Sequence, residues 1–275
     1  MRPKRALEEV AGAHEGETLL VVSCGPSATL WREVLSGLAP GTVVACVKQA
    51  IHLCGSRAAL HFFNPFNAQR YWPHNRGALR VDVQDQLAPP SFNSADLVFT
   101  LDPATTDDLS RSVASTGRFE DHTIERTGLI RPWGPGIMHE VVFFLANFLG
   151  FRTLHTVGWD VVAIPGADED GLRRLTHFYD PPRTSGAVVE TFEWSGQEWP
   201  SYRRRALLRH LRGAIYNRMP KADVQDEVGT IIRSLPRLFE WIESEGTSLT
   251  VHTQLRGNVV DPSIRPHIVD WSQHS

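Results

Sequence analysis

Long hydrophobic runs are missing from this chain of 275 residues. None approaches the ~18–20 consecutive apolar residues that a bilayer span needs, so no membrane span is expected. After the basic opening Met1-Arg2-Pro3-Lys4-Arg5 come Glu8, Glu9 and Glu15, where a secretion signal requires an apolar stretch. Without such a signal, the expected location is cytoplasmic. Cysteine is scarce. Cys24, Cys46 and Cys54 fit neither a disulfide framework nor a four-ligand zinc site, and they suit a reducing compartment. A surplus of one charge is lacking too: Lys and Arg total 28 against 31 Asp and Glu, for a formal net charge of −3. Bulk binding to nucleic acid needs a strong phosphate-neutralising excess, so no nucleic-acid partner is expected. No repeat, heptad or low-complexity tract is present, which argues against a solenoid or a coiled coil. Lysine itself is rare. Only Lys4, Lys48 and Lys221 occur, and arginine supplies the remaining strong bases. A GC-rich genome accounts for that bias, and it makes Lys48, flanked by apolar residues, conspicuous.

What is present suggests a layered α/β protein. Apolar stretches of strand length alternate with helical patterns. The expected fold class is α/β: a Rossmann-like, mostly parallel sheet with helices on both faces and a lid-like insertion after a Gly-x-Asp strand. One domain over residues 1–275 is expected, with the insertion at about 163–200. Strands are expected at Thr18–Ser23, Thr42–Val47, Leu60–Phe63, Leu97–Leu101, Thr153–Val157 and, last, Leu249–His252. Ser27 is placed to cap a helix running to about Leu38, stopped by Pro40-Gly41. Lys48–Leu53 reads as a helical turn. Gly136 to Gly150 reads as a helix apolar nearly all round in its second half, with Gly150 as its cap. Residues 102–131 read as loops with short helices. Residues 163–200 are rich in Gly, Pro, acids and aromatics, as in a lid or binding loop. A basic helix at Tyr202–Arg212 and an amphipathic one at Asp226–Glu245 follow, and the tail beyond Arg256 reads as irregular.

In open parallel α/β sheets, ligands bind beyond the carboxyl ends of the strands, which nominates particular residues. Gly25-Pro26-Ser27 follows the first strand. Its glycine admits close backbone approach and its free amides suit a phosphate, or it is simply a strand-to-helix turn. Lys48 and Gln49 follow the second strand. A lysine among Val43, Val44, Cys46, Val47, Ala50 and Ile51 either snorkels to water or meets an anion. Asn64, after the third strand, offers an amide for a sugar or base edge, or makes an Asx turn before Pro65. Trp133-Gly134-Pro135-Gly136 presents amides at the start of the apolar helix. Asp160, in Gly158-Trp159-Asp160, either accepts from ligand hydroxyls or caps the next turn. His177, within Thr176-His177-Phe178-Tyr179-Asp180, is an imidazole able to take a proton near neutral pH, or an ordinary surface histidine.

Three rival features compete with this set. Asp168-x-Asp170 has the acidic spacing by which hard oxygen ligands hold a divalent ion, although it sits in a charged Gly-rich loop that reads as a solvated turn. Cys24 lies between a strand and a helix start, where thiol pKa values fall, yet no base is identified for it. The run Arg203-Arg204-Arg205, continued by Arg209 and Arg212, suits an acidic partner or a solvated helix face.

In order and spacing, these motifs resemble glycosyltransferase family 42, the bacterial sialyltransferases and their relatives. Ser23-Cys24-Gly25-Pro26-Ser27 resembles the family's Gly-Asn-Gly-Pro-Ser, and Val47-Lys48-Gln49 its Cys-Asn-Gln. Phe63-Asn64-Pro65 is similar to its Tyr-Asn-Pro, and Pro135-Gly136 falls at its Ser-Gly helix opening. Leu149-Gly150 through Gly158-Trp159-Asp160 matches its Leu-Gly…Gly-Ile-Asp run with the same spacing. The likeness covers about the first two-thirds of the chain. Cys24 and Lys48 stand where the family has asparagines around its cytidine nucleotide, Pro135 replaces the serine, and the helix is one turn longer. Lys48 is instead similar to a wider group sharing Gly-Pro-Ser, which includes archaeal 6-hydroxymethylpterin pyrophosphokinase-like proteins.

The resemblance implies a metal-independent glycosyltransferase that moves a sugar from a nucleotide-sugar donor, CMP-sugars favoured, to a small-molecule or glycan acceptor. It implies nucleotide and donor contacts from Gly25, Pro26, Ser27, Lys48, Gln49, Asn64, Gly136 and Asp160, with His177 as general base. An oligomer is compatible with this reading. Two alternatives stand beside it: a phosphotransferase using ATP and Mg²⁺, and a nucleotide-binding module without catalysis.

Overall fold

The computed structural model describes residues 7–63, 71, 74–84, 96–100, 137–160, 227–254, 259 and 261–272. Asn64, Gly136, Asp168, Asp170, His177, the arginine run and the expected insertion at about 163–200 lie outside these residues.

Eight strands form one sheet. They are β1 (Thr18–Val22), β2 (Val43–Val47), β3 (Leu60–Phe63), β4 (Leu79–Gln84), β5 (Leu97–Thr100), β6 (Thr153–Val157), β7 (Ser248–Thr253) and β8 (Ile268–Asp270). Their spatial order is β5-β4-β3-β2-β1-β6-β7-β8, and every neighbouring pair is parallel. An all-parallel sheet is covered on both faces, so its strands read as near-continuous apolar runs rather than alternating ones. That is why Leu19-Leu20-Val21-Val22 and Val43-Val44-Ala45-Cys46-Val47 are buried throughout.

The pleat sends alternate residues to opposite cores. Leu19, Val21, Val43, Ala45, Val47, Leu60, Phe62, Leu154 and Val251 pack with helices α3 (Ile137–Leu149) and α4 (Glu227–Ser244). Leu20, Val22, Val44, Cys46, Phe63 and Val157 pack on the other face with Trp31 and Val34 of α1 (Trp31–Ser36) and Ile51 of α2 (Ile51–Cys54). At ~1.5–3 kcal/mol for each large apolar side chain withdrawn from water, these two layers are the main source of stability. The fold is thus α/β and Rossmann-like, with helices on both faces. Among the described residues no helix is long and apolar enough to cross a membrane.

Several details differ from the sequence reading. β4 was not expected there, because Arg80, Asp82 and Gln84 interrupt its apolar residues. Arg80 is nevertheless buried, paired with buried Asp96 through its guanidinium (3.3 Å) and its backbone N–H (3.0 Å). The tail is not irregular: a 3-10 turn at Pro262–His267 leads into β8, so β7 is not the last strand. Three residues at a solvent-facing edge are too few to leave a pattern. The helix expected from Ser27 to Leu38 is a 3-10 turn at Pro26–Leu30 followed by the short α1, with Gly25 and not Ser27 in the capping position.

From β1 the chain steps outward to β5, then returns to the other side of β1 with β6 and continues to β8. The order reverses between β1 and β6. In open α/β sheets, ligands bind beyond the carboxyl ends of the strands at such a switch point.

Candidate functional site

The loop after β1, Ser23-Cys24-Gly25-Pro26-Ser27, meets the loop after β6, Gly158-Trp159-Asp160, at this seam. The sheet ladder continues past the strand ends: Ser23 N–H donates to the Val157 carbonyl (2.8 Å) and Gly25 N–H to the Gly158 carbonyl (2.7 Å). Such close approach needs glycine on both sides. A Cβ on Gly25 would overlap the Asp160 carboxylate and lie 2.6 Å from the Gly158 carbonyl oxygen. Gly158 has φ +77°, and a Cβ there would lie 2.8 Å from Ala28 Cβ.

Asp160 is the clasp of the seam. Its Oδ1 accepts from Ser27 Oγ (2.5 Å) and Thr253 Oγ1 (2.8 Å), and its Oδ2 accepts from Ser27 N–H (2.9 Å). Gln254 adds its N–H to Ser27 Oγ (2.8 Å) and its side-chain amide to the Pro26 carbonyl (3.1 Å). Burial raises the Asp160 carboxyl above its ordinary value, and the hydrogen bonds from Ser27 and Thr253 only partly oppose that rise. The carboxylate therefore joins the ends of β1, β6 and β7 within the protein, and Ser27 Oγ is engaged with it.

Lys48 stands one residue beyond β2 and is half-buried. Its φ of +48° makes it the one non-glycine residue with positive φ among the described residues. The left-handed conformation costs an L-residue roughly 1–2 kcal/mol. Strain of this kind persists where surrounding contacts over-determine it, and here the Lys48 carbonyl accepts from the Nε2–H of buried His61 (2.9 Å).

Around Lys48 lie Cys24, Gln49 and His139. The Cys24 thiol donates to the Val47 carbonyl (3.2 Å) and faces Gln49 Oε1 (3.7 Å). Burial pushes that thiol up to about 11, against the pull of the Ala50 and Gln49 amides and the Lys48 charge. Cys24 is thus a protonated thiol at neutral pH, which removes its appeal as a nucleophile. His139, in the first turn of α3, bonds Ser23 Oγ through Nε2 (2.8 Å) and stacks on Trp159 at 4.7 Å and 17°. Burial, reinforced by the Lys48 charge, lowers its pKa to about 3. It is a neutral imidazole.

The structure thus gathers Gly25, Pro26, Ser27, Lys48, Gln49 and Asp160 at adjacent strand ends. It adds Ser23, His61 and His139, which the sequence reading passed over. The signal for the two histidines was available: each is a polar residue in an apolar stretch, Leu60-His61-Phe62-Phe63 and Ile137-Met138-His139, and such residues need a partner when buried. Among the described residues, no group of three or more His, Cys, Asp or Glu is placed to hold a metal ion. The amides expected to be free for a phosphate are not: Gly25 N–H is spent on the Gly158 carbonyl and Ser27 N–H on the Asp160 carboxylate, and Pro26 has none. Chemically, the arrangement offers the Lys48 cation and neutral hydrogen-bonding groups, which suit an anion. Compared with protein-family models, curated proteins and solved structures, the chain matches none.

Proposed function

We propose that this protein is a glycosyltransferase that moves a sugar from a nucleotide-activated donor, a CMP-sugar in the first instance, to an acceptor hydroxyl. The observation that carries the reading is Lys48: a lysine held in a left-handed backbone conformation, half-buried, at the carboxyl edge of the sheet beside the β1/β6 seam. A cation placed at that cost suits an anion, and a nucleotide's phosphate is the anion that switch points of this kind accommodate. In this reading Lys48 offsets the charge developing on the leaving phosphate. Gln49 and Asn64 bond to base, ribose or donor hydroxyls, and Gly136 brings an amide to the donor. Gly25, Pro26, Ser27 and Asp160 shape the floor. His177 takes the proton of the acceptor hydroxyl as that oxygen attacks the anomeric carbon and the nucleotide departs. The reaction runs without a metal and in the cytoplasm.

Thermal-shift titrations with CMP, UDP, GDP, ATP and CMP-sugars, each with and without EDTA, test this. The expected result is a rise in Tm with CMP that grows with the logarithm of its concentration and ignores EDTA. His177→Ala is expected to abolish turnover and leave that rise intact. A response confined to ATP with Mg²⁺ would replace the reading with phosphotransfer, and binding without turnover of any sugar donor would leave a nucleotide-binding module.

A further inference from the structure

His61 is out of place by composition: an ionisable residue at a fully buried position of β3, between Leu60 and Phe62. Its ring packs on Phe63 (5.0 Å, stacked) and Tyr71 (4.8 Å, edge-on). Both ring nitrogens are used. Nε2 lies 2.9 Å from the Lys48 carbonyl oxygen, and Nδ1 lies 3.0 Å from Asn75 Nδ2. A carbonyl can only accept, so Nε2 must carry the hydrogen. Nδ1 of a neutral imidazole must then accept, so the buried Asn75 must present its NH₂. The chain of donors runs one way, Asn75 to His61 to Lys48, and a doubly protonated ring would set a second N–H against the Asn75 amide. Burial agrees with the neutral ring, lowering the His61 pKa to about 4.

The residue at the end of this chain is the strained one. We infer that His61 and Asn75 are positioning residues for Lys48: the Asn75 amide orients the imidazole, the imidazole holds the Lys48 carbonyl, and the ammonium is thereby kept at the carboxyl edge of the sheet for a phosphate-class anion. The inference rests on the reading of Lys48 as the phosphate-facing cation. Neither His61 nor Asn75 touches the ligand, so their effect on binding runs entirely through Lys48.

The test is a double-mutant cycle on the full chain, read by calorimetric titration with CMP and with inorganic pyrophosphate. His61→Phe keeps the aromatic packing and deletes the donor. It is expected to weaken binding at least tenfold in the otherwise unchanged protein and less than twofold in the Lys48→Ala background. An equal loss in both backgrounds would overturn the inference, because a merely structural role does not depend on Lys48. If His61→Phe does not fold, Asn75→Leu, close in volume to the amide, carries the same expectation. A second readout needs no ligand. Reductive ¹³C-methylation labels only Lys4, Lys48, Lys221 and the terminal amine. The Lys48 signal, assigned by its loss in Lys48→Arg, should move in His61→Phe and return towards its original place in His61→Gln, which restores a donor. If neither CMP nor pyrophosphate binds the unsubstituted protein, the proposed function falls and this spectrum alone decides the positioning role: an unmoved signal overturns it.

Discussion

Asp160 offers the sharpest separation between a residue that builds the site and one that serves the ligand, through Asp160→Ala and Asp160→Asn. In the alanine variant the Ser27 N–H loses its acceptor in a buried setting, at about 1–3 kcal/mol for an unsatisfied donor. The Ser27 and Thr253 hydroxyls already lie 3.3 Å apart and can pair with each other, so they add little. The vacated carboxyl volume adds about 1 kcal/mol. The sum is about 2–4 kcal/mol, or a fall in Tm of about 3–7 °C for a chain of this size.

The asparagine variant should behave differently. Its Oδ1 can take the Ser27 N–H while its NH₂ faces the two hydroxyls, which can rotate to accept. It also lacks the desolvation penalty that raises the Asp160 pKa. A raised folded-state pKa means that the native protein holds this proton more tightly than the unfolded chain does. Its stabilising contribution is therefore complete below the ordinary carboxyl value and is lost as pH rises through the folded pKa. Asparagine carries no such loss, so its standing relative to the parent should improve as pH rises. Urea unfolding should place Asp160→Asn within about 1 kcal/mol of the parent at pH 7. Equal destabilisation by both substitutions would refute the structural assignment of the carboxylate. Unchanged stability of Asp160→Asn with lost turnover would locate its importance at the donor.

Lys48→Gly should raise unfolding stability by about 1 kcal/mol, because glycine accepts positive φ without strain, while weakening nucleotide binding without abolishing it; a destabilised glycine variant would remove the argument from strain. His61 and His139, lowered to about 4 and about 3, refuse protons that the unfolded chain accepts. Their contribution is complete above the ordinary histidine value of 6.5 and falls as pH drops through the interval to about 4. Each steepens the decline by up to about 1.4 kcal/mol per pH unit. Urea midpoints measured between pH 7 and pH 5 check this, and a flat profile would contradict it.

Much of the frame was legible in sequence because buried parallel strands leave an unmistakable trace. Runs such as Leu19–Val22 and Val43–Val47 followed by Gly, Pro or Lys imply strands with functional turns at one edge. β4 escaped because Arg80 breaks its apolar run, and the Asp96 that pairs with the buried guanidinium lies sixteen positions away, where no local pattern announces it. The site was legible as a set of positions and not as a set of roles. Asp160 read as a ligand acceptor or a cap for the next turn, and Ser27 as a helix cap or part of a ligand-binding turn, yet they bond to each other across 133 residues of sequence, a relation fixed only when β6 docks on β1. His61 was visible as an anomaly, but its purpose depends on the left-handed turn at Lys48, and no composition rule requires a lysine there to have positive φ.

The seam between β1 and β6 also bears on how the chain assembles. Leu19 pairs with Leu154 and Val22 with Val157, about 135 positions apart, the longest separation between any two neighbouring strands in the sheet. Closing so large a loop is entropically slow, whereas β1 to β5 join through short local connections. The first five strands can zip together in order of synthesis and wait, with the central strand exposed along one side, until β6 arrives. The corner where the loops after β1 and β6 meet is therefore completed only once β6 has docked on β1.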